Sequence, residues 1–128
     1  MIPQVEAFEA VIALLKGETG IDIRLSAQLP ANSSGTTAEI TGGMPKGRYL
    51  NKRHGKETVT VLFLSKDTSQ KTALENVCAI GNCIDTMPGI SGQTVNVLSA
   101  GKSGGPAYVG YDGKFYVYSL IAEIFISF

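Results

Sequence analysis

The sequence contains no tryptophan, one histidine and only two cysteines among its 128 residues. Charged residues are also scarce, at 17% of the chain, compared with about 25% in an average globular domain. This scarcity excludes a disordered protein, because disordered chains are polar and highly charged. The length indicates a single domain spanning residues 1–128.

The two cysteines, Cys78 and Cys83, are too few for a disulfide scaffold. They lie within a predicted helix, where about 3.6 residues per turn would place them roughly 140° apart around the axis. They therefore cannot bridge each other within that helix. We predict that both are reduced side chains in or beside the core.

Long apolar runs are missing as well. No run reaches the ~20 residues that span a bilayer, and the most apolar segment is interrupted by Ser119, Glu123 and Ser127. The first residues lack the basic region of a signal peptide. We therefore expect no membrane contact.

Basic and acidic residues balance at 11 each, so the net charge is zero. This balance argues against a dedicated nucleic-acid-binding module, which would normally be basic. Basic residues nevertheless cluster in and beside a glycine-rich segment, residues 31–55, that we predict to be one long loop. The cluster is either a solvated loop or a contact for a polyanion such as DNA, and it consists of Lys46, Arg48, Lys52, Arg53 and Lys56.

Motifs for catalysis are incomplete. Residues 101–103 (Gly-Lys-Ser) resemble the end of a P-loop, but Asn96 replaces the required earlier glycine and residues 104–106 prevent a following helix. The sequence around Ser91 lacks the last glycine of a nucleophile elbow, and His54 has no evident orienting acid. The carboxylates are scattered. We predict no catalytic residue, metal or cofactor, and a protein that is not an enzyme.

Hydrophobic periodicity predicts two helices, one starting at Pro3 and one ending near Met87. Alternating or β-branched runs predict strands at residues 21–25, 36–40, 58–64, 94–98, 107–111 and 115–128, with a loop at 100–106. Asp112 and Gly113 predict a tight turn that joins the last two strands in a hairpin. The expected fold is α+β, with a mixed or antiparallel sheet of about five or six strands and two helices packed on one face.

The last strand is the most apolar part of the chain. At 14 residues (115–128) it exceeds the usual length of about 3–10, and two helices of so small a domain are not expected to cover it. A bare apolar strand aggregates, so we predict that another chain buries part of it; the alternative is an ordinary core strand with a frayed end. The candidate interface residues are Tyr116, Tyr118, Leu120, Ile124, Ile126 and Phe128.

The order of these elements resembles a known family. A strong strand at residues 59–64 leads through Ser65, Lys66 and Asp67 into the second helix, and an aromatic hairpin closes the chain. This arrangement is similar to that of the small minor capsid proteins of tailed phages and prophages, which themselves resemble tail terminators. The resemblance covers nearly the whole chain and is carried mainly by residues 59–87.

The resemblance implies a structural virion protein of the tail and neck, assembled in the host bacterial cytoplasm. Such a protein forms a ring, normally a hexamer, that caps the head-proximal end of the tail tube and joins it to the head connector. The implied partners are copies of itself, the major tail tube protein and the head-closure or connector protein, with non-specific contact to passing DNA. The basic cluster would face the lumen or the tube.

Three alternatives stay open. The chain is a different neck protein (head-closure or connector) or a tail-tube subunit, which would polymerise along the tube axis. It is a small nucleic-acid-binding module that uses the basic cluster. Or it is a small hydrolase or ligand-binding domain that uses Ser91 or Lys102, which would require a deep pocket around them.

Overall fold

The computed structural model describes residues 2–25, 33–48, 55–92 and 94–128, and of residues 43–48 the backbone only. This part of the chain forms two helices and six strands, which confirms the α+β prediction. In chain order they are α1 (Pro3–Thr19), β1 (Ile23–Leu25), β2 (Gly35–Arg48), β3 (Gly55–Asp67), α2 (Gln70–Thr86), β4 (Ile90–Ser91), β5 (Asn96–Tyr111) and β6 (Tyr116–Ser127).

Helix α1 begins with a proline in its first turn, where the missing N–H costs nothing. It ends at Gly20, which adopts a left-handed φ of 71° and donates its backbone N–H to the carbonyl of Lys16. One stripe of the helix is buried, as the three- and four-residue spacing predicts. This stripe consists of Ala7, Phe8, Val11, Ile12 and Leu15.

Helix α2 is capped by Ser69, whose hydroxyl accepts a hydrogen bond from the backbone N–H of Thr72. Gly81 lies on its buried side, and a Cβ there would stand 2.7 Å from Cδ of Lys102 on β5. The glycine therefore permits close packing of helix on sheet, as its mid-helix position predicts. Cys78 and Cys83 are both free and half-buried on this helix.

The sheet is mixed, with the strand order β1-β2-β3-β6-β5-β4 in the described residues, and it curves into a half-barrel. Two long antiparallel hairpins, β2–β3 and β5–β6, meet where β3 pairs with β6. The short strand β1 pairs in parallel with the start of β2. Strands β3 and β6 are thus central, and β1 and β4 are the edges.

The core lies between the two helices and one face of this sheet. Buried side chains of β3 and β6 alternate along each strand, so the even face of β6 points at the helices. The opposite face of the sheet carries half-buried and exposed apolar side chains, which include Leu62, Leu64, Ile121 and Phe125.

Two predicted loops are strands instead. Residues 31–55 do not form one long loop, because β2 extends to Arg48 and β3 begins at Gly55. Residues 100–106 belong to β5. Glycine and proline interrupt regular pairing, but the register shifts in β2 and β5 absorb the irregular residues as bulges, which strands near a sheet edge tolerate.

Candidate functional site

Four of the six predicted interface residues lie in the core of the protomer: Tyr118, Leu120, Ile124 and Ile126 are buried. Their assignment to a subunit interface is therefore wrong, because their side chains already pack against α1, α2 and the neighbouring strands. The prediction failed because β6 is a central strand. The two helices and the curvature of the sheet cover its even face from Tyr118 to Ile126.

The other two predicted interface residues, Tyr116 and Phe128, are half-buried. The Tyr116 ring lies 4.4 Å from that of Tyr111 on β5. The backbone N–H of Gly55 donates to the carbonyl of Phe128 at 2.8 Å, and the backbone N–H of Phe128 donates to the carbonyl of Gly55 at 2.9 Å. Both contacts are within the protomer, and each ring keeps part of its surface exposed.

The structure brings part of the predicted basic cluster together. The register places Gly47 opposite Lys56 and Arg48 opposite Gly55, so the backbones of Lys46, Arg48 and Lys56 meet at the far end of the β2–β3 hairpin. Lys56 is exposed. Lys52 and Arg53 lie outside the described residues.

The sequence did not reveal the outer edge of β5. Strand β4 pairs only with Asn96 and Val97, and no other described strand pairs with this edge as far as Tyr111. Three large side chains near its end are more than half exposed, Val109 most of all at 58%. We call Tyr108, Val109 and Tyr111 the β5 edge surface.

The two tyrosines of this surface pack against rings of their own hairpin. The Tyr108 ring packs edge-on against Tyr118 with centroids 5.5 Å apart, and the Tyr118 hydroxyl accepts a hydrogen bond from Gln70 at 3.0 Å. Tyr111 also contacts Tyr116, so both exposed tyrosine rings pack against a tyrosine ring of β6. An ordered aromatic surface loses little side-chain entropy when another molecule covers it.

A polar contact between α2 and β5 fixes the middle of the strand. The backbone N–H of Lys102 donates to Oδ1 of Asp85 at 3.0 Å, and its ammonium lies 3.2 Å from Oδ2. Chiefly the backbone hydrogen bond, and then the ammonium, lower the pKa of the Asp85 carboxyl below its usual value. The contact holds β5 in place beyond the point where β4 stops supporting it.

The turn between β5 and β6 is also well ordered. The carboxylate of Asp112 accepts backbone hydrogen bonds from Phe115 at 2.8 Å and Lys114 at 3.1 Å. These bonds, with a smaller contribution from the Lys66 ammonium, lower the pKa of the Asp112 carboxyl. The predicted Asp112-Gly113 turn is confirmed, with Gly113 at a φ of 96°.

A second surface lies at the opposite edge of the sheet. A groove of about 370 Å³ runs between the first half of α1 and the start of β2. Its lining is mostly apolar and carries two carboxylates. We call it the α1–β2 groove, and its lining residues are Val5, Phe8, Glu9, Leu25, Ala38, Glu39 and Ile40.

The residues considered for catalysis are far apart. Ser91 is exposed on β4 and pairs with Asn96, whereas Lys102 is six residues further along β5, about 20 Å at ~3.3 Å per residue. The Lys102 ammonium is occupied by Asp85, and His54 lies outside the described residues. Within those residues, no three His, Cys, Asp or Glu side chains are grouped as a metal site would require.

No protein-family model matches the chain, and no curated protein matches its sequence. In the part of the chain that the structure describes, neither helix is both long and apolar enough to span a membrane.

Proposed function

We propose that this chain is a structural virion protein of the tail-terminator type, which assembles with copies of itself into a ring and performs no catalysis. The observation that carries the proposal is the outer edge of β5. Beyond β4 its backbone N–H and C=O groups have no partner strand among the described residues, and its exposed side chains are tyrosine and valine.

Edges of this kind are normally protected. Natural sheets shield a long edge with charge, proline, strong bulges or a covering segment, because a bare edge pairs with other chains. From Leu98 to Gly110 the edge carries one charged residue, Lys102, which is engaged by Asp85, and one proline, Pro106, and its pairing with β6 shifts register. These features protect the middle of the edge, but its end exposes Tyr108, Val109 and Tyr111. Tyrosine is also enriched where proteins contact one another. The edge therefore favours a partner chain.

The family resemblance suggests what the proposed ring does: it blocks the addition of further tube subunits. The ring, a hexamer by that resemblance, binds the growing end of the tail tube with one face and offers another face to the head-closure or connector protein. The far end of the β2–β3 hairpin, with Lys46, Arg48 and Lys56 and the adjoining Lys52 and Arg53, contacts the tube or the passing DNA. This role places the protein in the virion neck after assembly in the host cytoplasm.

Self-assembly is tested on the purified chain by sedimentation velocity over a range of concentrations and by negative-stain electron microscopy. We expect closed rings of one diameter. Val109→Lys, which puts a charge on the β5 edge surface, should weaken association at least about tenfold. Leu74→Lys, at an exposed apolar position on α2, is the matched control and should assemble like the parent.

Other outcomes of these measurements would indicate one of the alternative functions. Tubes that lengthen with concentration would show a tail-tube subunit. A monomer at every concentration would overturn the ring, and if that monomer bound DNA with a steep salt dependence it would be a nucleic-acid-binding module. The terminator role itself predicts that adding the protein to polymerising tail-tube subunits gives short tubes with a ring at one end. Tubes of unchanged length would contradict it.

A further inference from the structure

Most of the exposed apolar side chains lie at two places. Of the nine large apolar side chains that are exposed in the described residues, three form the β5 edge surface and three lie in or beside the α1–β2 groove. The three at the groove are Ile2, Val5 and Leu25. Because β1 and β5 are near opposite edges of the sheet, each protomer carries one apolar surface on each side.

The two surfaces lie at nearly the same level along the strands. One row of paired residues crosses the sheet from β1 to β5: Ile23, Thr36, Ser65, Tyr118 and Tyr108. Leu25, in the groove, is two residues further along β1 than the start of this row, a distance of about 7 Å at ~3.3 Å per residue. Copies joined edge to edge are therefore related mainly by a rotation and little by a shift along the strands.

The charges of the two surfaces also fit each other. The groove is lined by two carboxylates, Glu9 and Glu39, and by no basic residue. The β5 edge surface itself contains no charged residue. In the adjoining turn the Asp112 carboxylate accepts two backbone hydrogen bonds and lies 3.9 Å from the Lys66 ammonium, so Lys114 is the charge in that turn that a partner can meet. Two β5 edges placed together would have only tyrosine, valine and two Lys114 side chains to match, whereas edge against groove brings Lys114 to the side of Glu9 and Glu39.

From these observations we infer that the β5 edge surface of one copy docks into the α1–β2 groove of the next copy. This inference rests on the proposed self-assembly and names its two interacting surfaces. Contact between two different surfaces of one chain is heterologous, and it generates a ring when the rotation closes. A second copy is the occupant because the chain itself supplies the complementary surface at the matching level.

A mixing experiment tests this pairing with two variants. Val109→Lys damages the β5 edge surface and leaves the groove intact, and Leu25→Lys damages the groove and leaves the edge intact. We expect each variant alone to associate at least about tenfold more weakly than the parent. Their equimolar mixture should give a heterodimer with one of each, because one good edge and one good groove remain. Native mass spectrometry distinguishes the species by mass.

The other outcomes distinguish a failure of the edge-in-groove contact from a failure of self-assembly. Leu25→Lys that still assembles like the parent would overturn the groove as the docking site and leave self-assembly standing. Leu25→Lys that forms dimers alone would show that β5 pairs with β5. A monomeric parent would remove the proposed function and this inference together. Leu74→Lys should behave as the parent in every mixture.

Chemical cross-linking gives an independent measurement should a lysine variant misfold. In a background with Cys78→Ala and Cys83→Ala, the variants Val109→Cys and Leu25→Cys should be joined by a short bis-maleimide only when mixed. A product from Val109→Cys alone would indicate β5 pairing with itself and overturn the inference, and so would the absence of any product from a mixture that assembles. The variant with both cysteines in one chain should give a ladder of products whose largest member counts the subunits of the ring.

Discussion

Strands β5 and β6 belong to the same hairpin, but they have opposite environments. The helix-facing side of β6 is the most apolar stretch of the sequence and is buried inside the protomer from Tyr118 to Ile126. Strand β5 is rich in glycine and polar residues and has most of its length exposed along one edge. The position of a strand in the sheet, rather than its hydrophobicity, thus decides whether another chain can reach it.

The largest effect that would test this comparison is expected in β6. Leu120→Ala should lower the free energy of unfolding by about 2–5 kcal/mol, since Leu120 is completely buried in the core. Ile121→Ala, one residue later on the opposite face and 39% exposed, is the control and should cost much less. Urea unfolding measures both. Equal losses would mean that the two faces of β6 do not differ as described.

A smaller effect is expected where α2 supports β5. Gly81→Ala places a methyl group 2.7 Å from Cδ of Lys102. Overpacking of this kind costs about 1–3 kcal/mol, which the gain of about 0.5–1 kcal/mol for alanine over glycine in a helix offsets in part, so we expect a small net loss of stability. Gly17→Ala on α1, where a Cβ meets nothing within 4 Å, should instead stabilise the protein by about 0.5–1 kcal/mol. Thermal unfolding distinguishes the opposite signs. A neutral Gly81→Ala would show that the stem of Lys102 moves aside freely.

The smallest effect concerns the pH dependence of the contact between Asp85 on α2 and Lys102 on β5, which we call the β5 anchor. Because the pKa of Asp85 is lowered in the folded state, the ionised carboxylate contributes stability above the pKa of the unfolded chain. That contribution is lost as the pH falls through the lower folded pKa. Asp85→Asn should therefore reduce stability near neutral pH and flatten its decline in acid, as urea unfolding across pH would show.

The backbone and side-chain contributions to this anchor can be separated. The larger cause of the lowered pKa of Asp85 is the hydrogen bond from the backbone N–H of Lys102, which Lys102→Met retains. In a Lys102→Met background, Asp85→Asn should therefore still flatten the loss of stability in acid. Absence of that flattening would assign the lowered pKa to the ammonium instead.

Much of the fold could be predicted from the sequence. The spacing of Val11, Ile12 and Leu15 predicted α1, and the polar break at residues 65–67 followed by an apolar stripe predicted α2. The β-branched run predicted β3, and the Asp112-Gly113 turn predicted the β5–β6 hairpin. Each of these signals is local, because it depends on residues within a turn or two along the chain.

The candidate site could not be predicted in the same way. Residues 100–106 contain glycine, serine and proline, which normally mark a loop, and the bulges that keep them in β5 form only because β6 lies alongside. The apolar face of β6 predicted a subunit interface, but the helices that bury it come from distant parts of the sequence. The α1–β2 groove combines side chains of α1 and β1 with those of β2.

Local patterns fix the helices, most of the strands and the alternation of apolar and polar faces, since hydrogen bonding and side-chain periodicity act between near neighbours. Which apolar surface stays exposed is fixed by contacts between distant segments, because burial depends on strand order and on which elements pack above a face. Strand order places β6 in the centre and leaves β5 without a second partner strand beyond Val97 among the described residues. The surfaces proposed for assembly follow from that order.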